Sequence, residues 1–394
     1  MSKRSTSHDQ AALDLVLEMM AIPGQSGEEE AIAGFIVKQL QDWGVDRRCI
    51  RFDSAHRRSL HGGQVGNLIV KLPGSQRGPR RLLMAHMDTV PLCVGSQPKR
   101  AGDLIRSADP TTALGGDNRA GAAVVLNSVR QILGDDRPHP PLTLMWPIQE
   151  EVGLVGAQHV SLSALGNPKL CFNWDGGDPG TAVIAATGCD HLDVTIHGVA
   201  SHAGAHPELG VNALSVLSVA VAELSHNGWL GLIRKGQQRG TSNIGSVSGG
   251  QATNVVLPRV DVRAEVRSHK RAFRKRIVNA FHKSLLKAAK QLPAADGRRA
   301  TIEFNSRLKY ESFRLSPQLP VVQTALRAVA EEGLTPQTRT VDGGLDANWL
   351  SARGLPTVTL GCGQAGIHTV QETLHIPSYL DACRIATRLA AGAD

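Results

Sequence analysis

Short apolar runs alternate with helical segments in the first half of this chain, and this alternation restricts the fold more than any other feature. The runs NLIVKL, RRLLMAHM, PLTLMWPI and KLCFNW have the length of buried strands, and GAAVVLNSVRQIL, between the second run and the third, has helical spacing. Strands that alternate with helices predict an α/β fold with a mostly parallel sheet covered on both faces. In such a sheet, ligands bind beyond the carboxyl ends of the strands.

The pattern changes near residue 188 and changes back near residue 313. The residues in between read as strand, helix, two strands, helix and strand, which is the order of a ferredoxin-like α+β domain. The chain has 394 residues, more than the roughly 250–300 at which a single core stops growing. We therefore predict a larger domain of residues 1–187 and 313–394, interrupted by a smaller domain at residues 188–312.

Histidines and acidic residues stand at or near the ends of the predicted strands. They are His86 and Asp88 in AHMDTVP, Asp117 in LGGDNRAG, Glu150 and Glu151 in QEEVG, Asp175 in NWDGGDPG, and His368 in GIHTVQE. Imidazole and carboxylate without cysteine form the ligand set of a catalytic metal site rather than a structural one. The sequence thus predicts a metal-dependent hydrolase.

Spacing within these segments suggests how the residues act together. His86 and Asp88 are two positions apart, so in extended chain they point the same way, and Asp88 can accept the second ring N–H of His86. Glu150 and Glu151 are adjacent and diverge, so one can bind metal while the other acts as general base. Asp117 follows glycines at a helix start, where a carboxylate can bridge two cations, although an aspartate there is often an N-cap.

Two of these candidates have rivals nearby in the chain. Asp178 lies close to Asp175 but belongs to the turn DPG, where aspartate is common for local reasons. His375 competes with His368 but directly precedes the start of a helix. Because His368 follows the predicted strand LPTVTLG through the glycine-rich GCGQAG, it is the favoured ligand.

Near the N-terminus, IPGQSG separates two predicted helices. Ser26, which precedes a run of glutamates, is predicted to be the N-cap of the second helix.

Cysteine usage and hydropathy predict a cytoplasmic protein. The six cysteines show no CxxC pair and no regular spacing, which favours reduced, buried thiols over a zinc ribbon or a disulfide framework. The chain lacks an apolar run near the roughly 18 residues of a membrane span, and its N-terminus lacks the apolar core of a secretory signal. We expect no membrane partner.

Positive charge concentrates in residues 259–309, which hold 15 Lys and Arg against 4 Asp and Glu in a chain of net charge +8. A non-catalytic polyanion-binding protein is therefore an alternative from a different functional class. Within the stretch, apolar residues recur near helical spacing, which favours an amphipathic helix with a solvated cationic face. These apolar residues are Phe273, Ile277, Phe281, Leu285 and Leu292. Aromatic residues do not interleave the cations, so we expect no nucleic-acid partner.

Several motifs together resemble a known family. AHMDTVP, LGGDNRAG, QEEVGLVGA, DGGDPG, ASHAGAHPELGVNAL, GGLDANWL and IHTVQE are similar to motifs of the peptidase T-like branch of the co-catalytic zinc metallopeptidases. That family also contains aminoacylases, glutamate-releasing carboxypeptidases and succinyl-diaminopimelate desuccinylase. The likeness runs in register from about residue 10 to residue 390. It implies that the larger domain is catalytic and that residues 188–312 form a lid and dimerisation domain.

The resemblance also implies a role for each candidate residue. It implies two Zn²⁺ ions per subunit, and Mn²⁺ or Co²⁺ suits the same ligand types. One metal would be held by His86, Asp117 and Asp175, and the other by Asp117, Glu151 and His368. Glu150 would be the general base, and Asp88 would orient His86.

Three lid residues are implied to bind substrate. His202 in SHAG is similar to a histidine that reaches from a partner subunit to polarise the scissile carbonyl, which implies a homodimer through the lid. Arg267 in AEVRS is similar to an arginine that holds a substrate carboxylate, and Asn254 in TNVVLP to a residue near it. A tripeptide aminopeptidase is the favoured prediction, and an N-acyl-amino-acid deacylase or a carboxypeptidase is the runner-up.

Overall fold

The computed structural model describes residues 3–392, which divide into two compact units. The first unit comprises the described residues up to Ala185, then Arg314–Val341, then those from Leu345 onward, and the second comprises Ala186–Phe313 with Asp342–Gly344. The sequence placed Asp342–Gly344 in the larger domain. It belongs to the second unit because Asp342 contacts Arg239 and His269 there, at 3.2 and 3.1 Å.

Helices and strands occupy the following ranges. The helices are α1 Lys3–Ala21, α2 Glu30–Asp42, α3 Gly116–Gly134, α4 Val155–His159, α5 Ala213–His226, α6 Arg271–Gln291, α7 Pro320–Glu331, α8 Asp346–Ala352 and α9 Ile376–Ala391. The strands are β1 Ile50–Phe52, β2 Leu68–Leu72, β3 Arg81–Met84, β4 Pro98–Ala101, β5 Leu104–Ser107, β6 Leu142–Trp146, β7 Leu170–Trp174, β8 Thr181–Ala186, β9 Gly188–His197, β10 Gly231–Lys235, β11 Gln238–Ser248, β12 Arg259–Ser268, β13 Thr301–Tyr310, β14 Phe313–Arg314, β15 Gln337–Val341, β16 Thr357–Leu360, β17 Gln364–Ala365 and β18 Thr373–His375.

The large sheet of the first unit has the strand order β1-β2-β6-β3-β7-β16-β8-β14, with β15 paired to β8. Its centre, β6-β3-β7-β16, is parallel, and antiparallel strands flank this centre on both sides. The prediction of a mostly parallel central sheet is confirmed for these strands, which are almost wholly buried. Because β3, β6, β7 and β16 run in the same direction, the segments that leave their carboxyl ends meet at one edge of the sheet.

A smaller sheet in the first unit, with the order β17-β18-β5-β4, was not predicted. Its strands are only 2 to 4 residues long, so they are too short for an alternating pattern to show in the sequence. This sheet includes the residues on either side of the loop that carries His368, because β17 and β18 pair directly.

The second unit is a five-stranded antiparallel sheet in the order β10-β11-β12-β9-β13. The chain order β9-α5-β10-β11-β12-α6-β13 is the predicted ferredoxin-like arrangement with one additional edge strand, β10. The basic helix α6 buries Phe273, Ile277, Phe281 and Leu285 in the core of this unit. Each such side chain contributes roughly 1.5–3 kcal/mol by leaving water, so the predicted amphipathic helix is held by its apolar face.

The cysteines are free thiols, and all except the half-buried Cys49 are buried. None of the helices within residues 3–392 is long and apolar enough to cross a membrane.

Candidate metal centre and active site

The parallel strands bring the predicted metal ligands and both predicted catalytic residues into one cluster in the first unit. His86 and Asp88 follow β3, the two glutamates follow β6, Asp175 follows β7, and His368 lies in the loop between β17 and β18. Donor atoms of His86, Asp117 and Glu151 all lie within 4.8 Å of one another, and so do those of His86, Glu150 and Asp175. His86 thus belongs to two groups of potential ligands.

Asp117 lies between the two histidines of the cluster. Its Oδ1 is 3.3 Å from Nε2 of His86, and its Oδ2 is 3.2 Å from Nε2 of His368. The N-cap position of α3 is taken by Gly115, and Asp117 itself has non-helical angles, φ −84° and ψ 102°. The Asp117–Asn118 peptide is cis. The two side-chain oxygens of Asp117 face two different imidazoles, so this carboxylate has the geometry of a bridge.

The adjacent glutamates diverge, as the sequence predicts. Glu151 turns towards His368, with its Oε2 3.0 Å from the histidine Nε2. Glu150 turns towards His86 and Asp175. The Glu151 side chain is only 7% exposed, whereas the His368 side chain keeps 47% of its surface exposed. The cluster is therefore reachable from the His368 side.

Asp88 orients both the imidazole and the loop that carries the glutamates. Its Oδ1 is 3.4 Å from Nδ1 of His86. The backbone N–H groups of Glu150 and Glu151 donate to its carboxylate at 3.0 and 3.2 Å, and Ser26 Oγ donates at 2.6 Å. The prediction of Ser26 as an N-cap is wrong, because Glu29 takes that position in α2 and the Ser26 hydroxyl is held by Asp88.

Sequence reasoning missed two further carboxylates at this site. Glu372, which is buried, accepts the backbone N–H groups of Gly115 and Asp117, both at 2.8 Å, and so holds the start of α3. Asp346, at the start of α8, is fully buried, and neither of its oxygens has a hydrogen-bond partner among the described residues. Glu372 lies in IHTVQE and Asp346 in GGLDANWL, two of the motifs that resemble the family. The presence of these acids in such motifs was the signal that could have identified them.

The cluster concentrates more acid than its histidines neutralise. Burial raises the pKa of Asp175 to about 7 and that of Asp346 to about 8, and it raises the pKa of Glu150 well above its ordinary value. Hydrogen bonds to Asp117 and then to Glu151 raise the pKa of His368 to about 10. Burial disfavours the Asp117 carboxylate, yet the imidazoles of His368 and His86, at 3.2 and 3.3 Å, hold its pKa below the ordinary value.

This electrostatic imbalance fits a divalent cation. Oδ1 of Asp117 is buried without a hydrogen-bond partner among the described residues, and imidazole and carboxylate are the donors that zinc, manganese and cobalt accept. A bound cation would stabilise the ionised carboxylates that burial alone disfavours. The residues present therefore fit a divalent metal.

The predicted substrate-binding residues His202, Asn254 and Arg267 lie in the second unit. His202 is exposed, and its Nδ1 accepts the backbone N–H groups of Gly204 and Ala205 at 3.2 and 3.0 Å. In the neutral ring the proton therefore resides on Nε2. The Asn254 carbonyl accepts the N–H of Ala203 at 2.9 Å, which ties its loop to that of His202.

Arg267 is already paired in the structure. Its Nε and Nη2 donate to the two carboxylate oxygens of Glu265 at 2.9 and 3.1 Å, with both side chains about one-third exposed.

His375 and Asp178, the alternatives to His368 and Asp175, have local hydrogen-bond partners. His375 Nδ1 lies 2.9 Å from Ser378 Oγ at the start of α9, and the Asp178 carboxylate accepts the N–H of Gly180 at 3.0 Å.

Comparison with known proteins identifies the family. Residues 184–293 match the M20 peptidase dimerisation domain, and residues 67–205 match peptidase family M28. The chain is 30% identical to the uncharacterized protein YqjE of Bacillus subtilis over 97% of this chain and 98% of that protein. Aminopeptidase PepT of Bacillus cereus is 29% identical in its solved structure, with a TM-score of 0.83 over 97% of this chain and 98% of that one. A tripeptidase of Staphylococcus aureus is 27% identical, with a TM-score of 0.86 over 98% and 99%. The chain belongs to the peptidase T-like M20 metallopeptidases.

As an M20 metallopeptidase, the protein is a hydrolase that uses divalent metal. The predictions of the family, of the mixed α/β fold with an inserted domain and of a peptidase are confirmed. The alternative of a non-catalytic polyanion-binding protein is set aside.

Proposed function

We propose that this M20 peptidase is an aminopeptidase that removes the N-terminal residue of short peptides, above all tripeptides, at a centre of two Zn²⁺ ions. The position of Asp117 carries this proposal, because its oxygens lie 3.3 and 3.2 Å from the Nε2 atoms of His86 and His368. The similarity to aminopeptidase PepT and to the tripeptidase supports the substrate class.

The proposed ligand sets are those that the family resemblance implies. His86, Asp117 and Asp175 would hold one metal, and Asp117, Glu151 and His368 would hold the other. The contact of Glu151 with His368, at 3.0 Å, supports the second set. Zinc is favoured by the family resemblance, and manganese or cobalt suits the same ligands.

Glu150 is the general base in this proposal. When bound, two divalent cations polarise the scissile carbonyl and lower the pKa of water. Glu150 takes the proton of the attacking water and delivers it to the nitrogen of the leaving group. Because burial raises its pKa, the Glu150 carboxyl can hold that proton between the two steps. Asp88 keeps the imidazole of His86 oriented meanwhile.

His202 polarises the scissile carbonyl, and we propose that it does so from the second unit of a partner subunit. The two backbone N–H groups that donate to Nδ1 leave Nε2–H as the donor of the neutral ring. The match of residues 184–293 to a dimerisation domain supports a homodimer through this unit. Arg267 and Asn254 bind the carboxylate end of the substrate, which then competes with Glu265 for the Arg267 guanidinium.

Replacement of His202 by alanine should reduce turnover without emptying the metal site. Removal of one preorganised donor to the reacting oxygen lowers kcat by about 10²–10³-fold. Kinetics on a tripeptide, together with metal analysis of the same protein, check this expectation. His206→Ala is the matched control, because the His206 side chain is also exposed and lies 3.5 Å from the carboxylate of Glu208. Loss of metal in His202→Ala would contradict the assignment of His202 to substrate.

We also propose a cytoplasmic location, because free and mostly buried cysteines are typical of proteins kept in a reducing compartment.

The substrate proposal is tested by offering the purified protein a panel of tripeptides and N-acetyl amino acids, with and without chelator and added Zn²⁺. We expect release of the N-terminal residue from tripeptides, loss of that activity with chelator, and its return with Zn²⁺. Deacylation of the N-acetyl amino acids would instead identify an N-acyl-amino-acid deacylase. Release of the C-terminal residue would identify a carboxypeptidase. No turnover of any member, with metal bound, would overturn the substrate class.

A further inference from the structure

The loop formed by residues 149–151, called the catalytic loop, is held in its conformation by contacts with residues outside the loop. Its first residue, Gln149, has φ 53°, in the left-handed region that favours glycine. The Gln149 side chain is fully buried, donates from Nε2 to the carbonyl of Gly62 at 2.7 Å, and accepts from Ser59 Oγ. The residue directly before Glu150 is thus held in a conformation that its surroundings must impose.

Glu29 contacts the catalytic loop from the start of α2. Its Oε1 accepts the backbone N–H of Gln149 at 3.1 Å and that of Gly27 at 2.9 Å. The Glu29 side chain is 0% exposed, and its Oε2 is buried without a hydrogen-bond partner among the described residues. Because a buried carboxylate oxygen without a partner is unfavourable, packing alone does not account for an acid at this position.

The remaining N–H groups of the catalytic loop are held by Asp88. Those of Glu150 and Glu151 donate to its carboxylate at 3.0 and 3.2 Å. Three consecutive backbone N–H groups of the loop therefore donate hydrogen bonds to two carboxylates, those of Glu29 and Asp88. Of these two, only Asp88 also faces a predicted metal ligand, His86. Glu29 holds the one residue of the three whose backbone is strained.

We propose that Glu29 is a positioning residue for Glu150. By holding the Gln149 N–H, it keeps the catalytic loop in the conformation that directs the Glu150 carboxylate towards His86 and Asp175. This inference rests on the proposed function, since it takes Glu150 as the general base. Glu28, the neighbour of Glu29, has the same side chain in an exposed position, so it provides a matched control.

The test compares Glu29→Ala, Glu29→Gln and Glu28→Ala with the wild type in kcat, KM, bound metal and Tm. In Glu29→Ala we expect kcat to fall about 10²-fold, because a small misplacement of a catalytic group has that effect, with KM and metal content unchanged. Glu29→Gln retains an acceptor oxygen for the Gln149 N–H, so its kcat should stay within about tenfold of the wild type. Glu28→Ala should leave all four quantities unchanged.

An unchanged kcat in Glu29→Ala would overturn the positioning role, as would loss of metal or equal damage in Glu29→Gln. If Glu29→Ala does not fold, Glu29→Asp replaces it. Its carboxylate is one methylene short of the Gln149 N–H and should show the same fall in kcat, and full activity would overturn the role.

Failure of the proposed function is recognised separately. If the wild type cleaves no peptide, a crystal structure of the Glu29→Ala protein decides the matter without an activity assay. Departure of Gln149 from its left-handed conformation supports positioning by Glu29, and an unchanged catalytic loop refutes it.

Discussion

Glu150→Ala is expected to lower kcat by about 10²–10⁴-fold, the contribution of a well-placed general base, while the metal stays bound. The carboxyl lies beside His86 and Asp175, and burial raises its pKa, which favours uptake of the proton of the attacking water. Steady-state kinetics on a tripeptide and metal analysis of the same preparation give the two quantities. Glu150→Gln should show a similar loss, because it keeps the volume of the side chain but removes its basicity.

A near-normal rate in either variant would remove Glu150 from the role of base. Loss of metal together with the rate would make Glu150 a ligand. That outcome is structurally meaningful, because donor atoms of His86, Glu150 and Asp175 lie within 4.8 Å of one another. The measurement of bound metal is therefore as informative as the rate.

Asp117→Ala is expected to remove both metals and to lower activity by at least about 10³-fold, since a metal supplies several kcal/mol of transition-state stabilisation. The reason is geometric, because one Asp117 oxygen faces His86 and the other faces His368. Metal content after gel filtration, followed by titration with Zn²⁺, measures the loss. Asp178→Ala serves as control, since Asp178 is an exposed turn aspartate that accepts the N–H of Gly180.

Retention of one tightly bound metal in Asp117→Ala would show that Asp117 serves a single metal. The remaining ion would then identify the half of the centre that does not need this carboxylate. Full retention of metal and rate would contradict the bridging geometry itself.

Much of this site could be predicted because its residues stand at the ends of strands. The runs before His86, Glu150 and Asp175 are continuous apolar segments, and in the structure each is a buried strand of the parallel centre. Parallel strands end at one edge of a sheet, so local patterns were enough to place residues from distant segments near one another. The divergence of Glu150 and Glu151 followed in the same way from their adjacency.

Contacts between distant segments that leave no local pattern could not be predicted. Ser26 and Glu29 read as residues of a helix start, but their partners Asp88 and Gln149 are 62 and 120 residues away. Glu372 holds Asp117 across 255 residues.

The amino-acid sequence was enough to predict the strands of the parallel centre, the family and the types of metal ligand, because apolar periodicity and short motifs are local properties of the chain. The folded structure was needed to show which oxygen faces which imidazole and which acids hold the catalytic loop. It also decided that Asp342–Gly344 joins the second unit. These features are set by packing and hydrogen bonds between residues far apart in the chain, where a single buried donor must find its acceptor regardless of sequence distance.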